Sequence, residues 1–445
     1  MSGAPRCFAL AAALLALVPG ARRAEAAPGS TRIEIPQHVL LGIDVLELEG
    51  FAPLRGKRIA LLTHRAGVDG RGVSTIDILR REPGLKLVAL FATENGLSGT
   101  TTSGKPYPDQ IDPRTGLMVF SLYNGRTHQP TAAQLRGIDA LVIDLQDIGS
   151  RSYTFTGAMK QAMEGCFINH VDVIVLDRPN PLGGLKVDGP LPDPQWVGPN
   201  LVNEFPVPYV HGLTIGELAR FAKGQPGVLR VPEAARLAGK LTVIPMRNWH
   251  RNMRWPETGL AWVMTSPYIP DFSAVEGYPM TGLGTFMADN NVGGFSHGIG
   301  KHADGSPQYP FRGIADKYVK PDTLEHDLNA LGLPGLRFQK VSVPGVKSAQ
   351  PASGIFIQII DWDAWRPTEL NFYMMQLDCR FSPRNPFAVA PRAVAESFLR
   401  HMGSTAFFND LKAHGDRVDV AAYLRQWEAE DRAFQQLSRK YWLYN

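Results

Sequence analysis

Glu94, Asp144, Asp147 and Asp177 each stand at or just past the end of an apolar run, with Arg65, Arg151 and Arg178 close by. Carboxylates so placed can give and take protons, and guanidinium groups can bind anions through a planar fork of donors. His64, Asn95, Gln146 and Tyr153 fall in the same short stretches and add neutral donors and acceptors. The set suits polar chemistry.

Positioning such a set takes a scaffold that brings the ends of several runs together. The four runs are RIALLTHR (58–65), LVALFATENG (87–96), ALVIDLQDIGSRSYTF (140–155) and DVIVLDRPNP (172–181). They are separated by segments long enough for crossover helices, as a parallel βαβ sheet requires. Ligands of such sheets bind in the crevice beyond the carboxyl ends of the strands, where these polar residues lie. The turn after the first run, Gly67 to Gly72, is not GxGxxG, so a dinucleotide is not expected. Nor does any of the four runs lead into a GxSxG elbow at its end, so the usual serine hydrolase is not expected.

The chain of 445 residues is long enough for two sizeable cores. Its net charge of +4 includes +2 from the first 26 residues, and no basic run or aromatic-interleaved basic stripe points to nucleic acid. Arg6, the apolar stretch Phe8 to Val18, a Pro-Gly break and Ala24-Glu25-Ala26 read as a signal peptide over 1–26. The expectation is export to the periplasm or the extracellular space without a stable membrane anchor. Cys166 and Cys379 lack CxxC partners and are expected as small buried residues, not a disulfide or zinc ligands. His297 and His302 have no third ligand at metal spacing, so neither a metal nor another cofactor is expected.

Further along, the patterns predict helices near 75–81, 132–137 (Thr131 as N-cap) and 156–165, and a capping box of Thr214 with Glu217. Residues 249–312 are dense in proline, glycine and aromatics, too apolar for a disordered linker. Trp249, Trp255, Trp262 and Tyr268 there serve either as a cleft wall or in packing. LRFQKVSVPG, GIFIQIIDWDAW and FYMMQLDCRF suggest strands. The alternation gives an α/β parallel-sheet domain over 27–248, and the change of texture sets off a second domain over 249–445.

The stretches LGIDVL (41–46), GKRIALLTHRAGVD (56–69), LVALFATENGLSG (87–99), TGLMVFSLY (115–123), LVIDLQDIGSRSYTF (141–155), DRPNPLGG (177–184) and HGLTIGELA (211–219) carry a resemblance. In that order, they resemble the family formerly called domain of unknown function 1343, with NamZ-type exo-β-N-acetylmuramidases as its characterised members. The resemblance implies an α/β fold with a Rossmann-like parallel-sheet N-terminal domain, a smaller α/β C-terminal domain and an interdomain cleft, and removal of a terminal N-acetylmuramic acid from the non-reducing end of peptidoglycan fragments. Two departures touch the site. The family's Pro-Glu-His-Gly is Thr93-Glu94-Asn95-Gly96 here, and its Phe-Glu-Gly-Thr-Asn corresponds to Phe286-Met287-Ala288-Asp289-Asn290, which puts Met287 at a glutamate position.

On this reading Glu94 is the general acid or base, with Asp147 and Tyr153 as catalytic partners. His64, Asn95, Asp144, Gln146, Arg151, Arg178, His211 and Asn290 bind substrate, Arg151 by taking the lactyl carboxylate. Each has a structural alternative: Glu94 as a cap, Arg151 tied to Asp144 or Asp177, the 177–181 turn as scaffold. The competing function is an envelope protein that binds glycan or muropeptide ends without cleaving them.

Overall fold

The apolar runs become strands of one large sheet. The computed structural model describes residues 38–300, 308–343 and 352–445. The signal-peptide segment, most of the polar leader and His302 lie outside that range. The strands are β1 (Arg58–Thr63), β2 (Lys86–Ala92), β3 (Gln110–Ile111), β4 (Met118–Ser121), β5 (Ala140–Asp144), β6 (Asp172–Leu176) and β7 (Leu241–Ile244). Their spatial order is β3-β4-β2-β1-β5-β6-β7, parallel throughout except for β3 against β4. Without β3, the six parallel strands stand in the Rossmann order 3-2-1-4-5-6. Every residue of β5 is buried, as is every residue of β1 and β6 after the first. Strands covered on both faces need continuous apolar runs rather than alternation, which is how these segments read.

The helix after β5, Thr154–Ile168, is buried on nearly all sides. It therefore lacks the single apolar stripe of a surface helix. Its Lys160 is neutralised inside the protein by Glu164 at 2.7 Å and Glu204 at 2.9 Å. A Cβ on Gly157 would lie 2.4 Å from the carbonyl oxygen of Leu201, so only glycine lets the helix close on that segment. Thr131 caps Ala132–Leu135, and Thr214 with Glu217 forms the capping box of Ile215–Gly224, as the patterns predict. Cys166 and Cys379 are unpaired.

The C-terminal part holds a smaller antiparallel sheet of β8 (Phe295–His297), β9 (Gly313–Asp316), β10 (Leu336–Val343) and β11 (Ala352–Ile359), in the order β10-β11-β9-β8. The helix Pro321–Ala330 packs on this sheet, and helices Glu369–Phe381, Arg392–Met402, Thr405–His414 and Val420–Ser438 pack with one another beyond it. One expected strand is corrected: FYMMQLDCRF lies within the helix Glu369–Phe381. Its buried residues Leu370, Met374 and Leu377 recur at helical spacing, and Met, Leu and Gln favour a helix over a strand. One apolar core runs from the large sheet into these helices, from Leu62 and Ile143 through Met280 and Phe372 to Trp427.

Candidate active site

The Rossmann order places a crevice between the ends of β1 and β5, where ligands of such sheets bind. Here that crevice is filled by the protein. The Arg178 guanidinium donates to both carboxylate oxygens of Asp144, at 2.5 and 2.9 Å, and to the carbonyl of Val68 at 2.6 Å. Thr75 donates its hydroxyl to the same carboxylate. Asp144 is fully buried and Arg178 is 4% exposed, so the pair is an internal strut.

The large cleft, about 490 Å³, opens one strand away, beyond the end of β2. Its floor comes from Glu94, Asn95 and the 103–104 loop, and one wall from Ser152, Tyr153 and Thr154. Across from these lie Ser266, Tyr268, Tyr278, Asp289, His297 and Phe311, with Ser397, Arg400 and His401 at the end of the helix Arg392–Met402. Glu94 is held at both oxygens. Oε1 accepts the Gly104 amide at 2.5 Å and Oε2 accepts the Thr154 hydroxyl at 3.0 Å. Asn95 shapes the loop that brings Gly104 there. It takes a left-handed backbone (φ 67°), and its side-chain amide donates to the Thr101 carbonyl and the Ser103 hydroxyl. Asparagine tolerates that conformation better than most residues.

Glu94 and Asp289 are the two carboxylates that line the cleft among the described residues. Asp289 accepts the Thr285 hydroxyl at 3.2 Å and lies 3.7 Å from Nε2 of His297, whose ring stacks on Phe311 at 4.6 Å. Loss of water around the Asp289 carboxyl raises its pKa, and His297 draws it part of the way back. Met287, at the family's glutamate position, is buried with 1% exposure and is not part of the cleft lining. In sequence Asp289 sits two residues from that glutamate position, a carboxylate near enough to compensate for its loss, and in the structure it is the one that lines the cleft.

Of the catalytic and substrate-binding residues expected from sequence, Glu94, Asn95 and Tyr153 line the cleft. The Tyr153 hydroxyl donates to Thr265 at 2.7 Å, and burial pushes its pKa well above the usual tyrosine value. It forms a wall as a neutral phenol. Asp147 stands behind this wall, near enough for its charge to raise the pKa of both Tyr153 and Tyr278. One of its oxygens accepts the Gly149 amide at 2.8 Å and lies 3.6 Å from Nε2 of His211. His211 accepts the Leu213 amide at Nδ1 and is buried. His64 accepts the Gln146 amide at Nε2, and burial with Arg178 nearby lowers its pKa to about 3, so it stays neutral. The Gln146 side chain donates to the carbonyls of Asp147 and Pro179. Asn290 donates back to Phe286 within its own helix.

Arg151 is placed otherwise than expected. Its guanidinium is buried and donates to four backbone carbonyls: Pro190 (2.7 Å), Val207 (2.8 Å), His401 (3.2 Å) and Met402 (2.9 Å). It pairs with neither Asp144 nor Asp177, and it has no face on the cleft. Asp177 instead accepts from Thr214, Gly216 and Tyr444, tying β6 to the next helix and to the C-terminal tail. Of the four aromatics, Tyr268 lines the cleft. Trp249 packs on Tyr444 and Trp255 on Trp262, each at 5.0 Å.

A Rossmann-ordered sheet beside a polar cleft with two carboxylates and aromatic walls is an architecture for cleaving sugars, and comparison with known proteins makes the class definite: the chain is a glycoside hydrolase. It belongs to the exo-β-N-acetylmuramidase NamZ family, matching the family's N-terminal domain over residues 59–273 and its C-terminal domain over 277–444. It is 32% identical over 416 residues to the peptidoglycan β-N-acetylmuramidase NamZ of Bacillus subtilis strain 168, covering 91% of each chain. Two crystal structures of DUF1343 family proteins from Bacteroides fragilis share the fold. One has a TM-score of 0.78 at 34% identity and the other 0.67 at 25%, each covering 92% of this chain and 99% of its own.

Proposed function

We propose that this protein is an exo-acting muramidase. It releases N-acetylmuramic acid from the non-reducing end of peptidoglycan-derived glycans, outside the cytoplasmic membrane, as a step in cell-wall turnover. The observation that carries this reading is the pair Glu94 and Asp289 in one cleft, contributed by elements far apart in the chain. Glycoside cleavage needs a proton for the leaving oxygen and a second group on the opposite face of the sugar. Asp289, whose carboxyl keeps its proton to higher pH than an ordinary aspartate, donates to the leaving oxygen. Glu94, both oxygens already acting as acceptors, attacks the anomeric carbon or activates water on the other face. Tyr153, Tyr268 and Tyr278 supply rings against which a sugar can lie. No helix among the described residues is long and apolar enough to cross a membrane.

The test is release of free N-acetylmuramic acid from a MurNAc-GlcNAc disaccharide by the protein lacking residues 1–26 and by its Glu94→Gln variant. Turnover by the parent and its loss in the variant support the reading. A parent that binds the disaccharide saturably without cleaving it would be a binding protein instead.

A further inference from the structure

A cleft built on two carboxylates has an electrostatic problem with an acidic sugar. Glu94 and Asp289 both repel an anionic substituent, so a substrate that carries one binds well only if a cation receives it. Among the described residues, Arg400 is the one lysine or arginine in the cleft lining. Among the described residues its guanidinium has no hydrogen-bond or ion-pair partner, and Glu396, the carboxylate one turn earlier, is taken by Arg392 at 2.7 Å. The neighbouring His401 donates Nδ1–H to the Ser397 carbonyl at 2.8 Å. Burial holds its imidazole below the ordinary histidine range, leaving Arg400 as the positive charge at that end of the cleft.

The position of Arg400 is also fixed. It stands in the last turn of the helix Arg392–Met402, and the carbonyls of His401 and Met402 that follow are clamped by the buried Arg151. The arginine that the sequence offered as an anion binder is thus the tether for the segment that presents another.

We propose that Arg400 is the specificity residue of this cleft, receiving the carboxylate of an acid-bearing sugar, such as the lactyl ether of a muramic acid, through its planar fork. The assignment rests on the hydrolase reading above. Its test compares kcat/KM of the parent, Arg400→Gln and Arg400→Lys on a chromogenic N-acetylmuramide and on the methyl ester of the same compound.

The parent should prefer the free acid. In Arg400→Gln the acid-to-ester ratio should fall by about 10- to 100-fold, the size expected for losing a charged hydrogen bond, with the change mainly in KM. Arg400→Lys, which keeps the charge but not the fork, should fall in between. The parent's preference should also weaken with added salt. An unchanged ratio in Arg400→Gln would overturn the assignment and leave the hydrolase intact. A parent that cleaves neither compound would overturn the hydrolase reading and this assignment with it. Because Arg400 is exposed and unpaired, its variants should melt with the parent, so a change in the ratio reports recognition and not unfolding.

Discussion

Replacing Glu94 by glutamine keeps the shape of the side chain and removes its capacity to exchange a proton. The expected loss in kcat is about 10²- to 10⁴-fold, the range for a positioned acid or base. Asp289→Asn should cost a similar factor. Because the two carboxylates serve one transition state, the double variant should lose little more than the worse single one. Stopped assays of sugar release on the four proteins check this, and fully multiplicative losses would separate the two residues into independent roles. Glu94 was legible because it directly follows an apolar strand, and the end of such a strand faces a crevice whatever the rest of the chain does. Asp289, in sequence only a neighbour of the lost glutamate, His297, which bears only on metal binding there, and Arg400 were not legible as parts of the site. Each sits on a short or terminal helical turn or an edge strand, and only tertiary packing turns them towards Glu94. Asn95 was legible as a departure from the family's histidine, but its use was not. Its left-handed backbone and two side-chain bonds hold the loop that carries the Gly104 amide to Glu94.

At the scale of elements, the parallel strands announced themselves because burial on both faces demands continuous apolar runs. The helix Glu369–Phe381 was misread because the run from Phe372 leaves out Leu370, the residue that with Met374 and Leu377 sets the helical spacing. Arg178 and Asp144 show what such elements need at their ends. The crevice between β1 and β5 would leave a strand-end carboxylate buried, and Arg178 neutralises it from the turn after β6. Removing one partner leaves the other charge uncompensated. Arg178→Met should therefore destabilise the protein by about 3–5 kcal/mol, and the double variant Asp144→Leu/Arg178→Met by clearly less. Urea unfolding of the three proteins measures both, and equal losses in the single and double variants would show that the pair does not act as a strut.

For the whole molecule, three interior carboxyl groups set how stability varies with pH. Burial pushes Asp177 up to about 7, Asp378 up to about 6 and Asp431 up to about 9, while an unfolded aspartate titrates near 3.8. Between that value and its folded pKa, each group binds a proton in the native state that it has released in the unfolded one. Stability therefore falls as pH rises through this window and levels off above it. His64 acts in the opposite sense. It is held neutral down to about pH 3, whereas the unfolded side chain takes a proton near 6.5, so this group favours the native state as pH rises. Across pH 5 to 6.5 it offsets part of the decline, and above 6.5 it contributes nothing further. The three aspartates sit at joints. Asp177 binds the helix Ile215–Gly224 and Tyr444 to the end of β6, Asp378 holds the Gly294 amide before β8, and Asp431, on the helix Val420–Ser438, is near Asp188. Ionising them strains contacts between the large sheet, the small sheet and the terminal helices together, so the loss should appear in one cooperative transition. The melting temperature should be higher at pH 5 than at pH 9, and Asp431→Asn should remove most of the decline between pH 7 and 9, where Asp177 completes its titration and Asp431 carries most of the change. Calorimetric scans across that range decide the matter: a melting temperature that holds steady or rises from pH 5 to pH 9 would mean that the buried carboxyl groups are already charged in the folded protein and are stabilised by their hydrogen-bond donors.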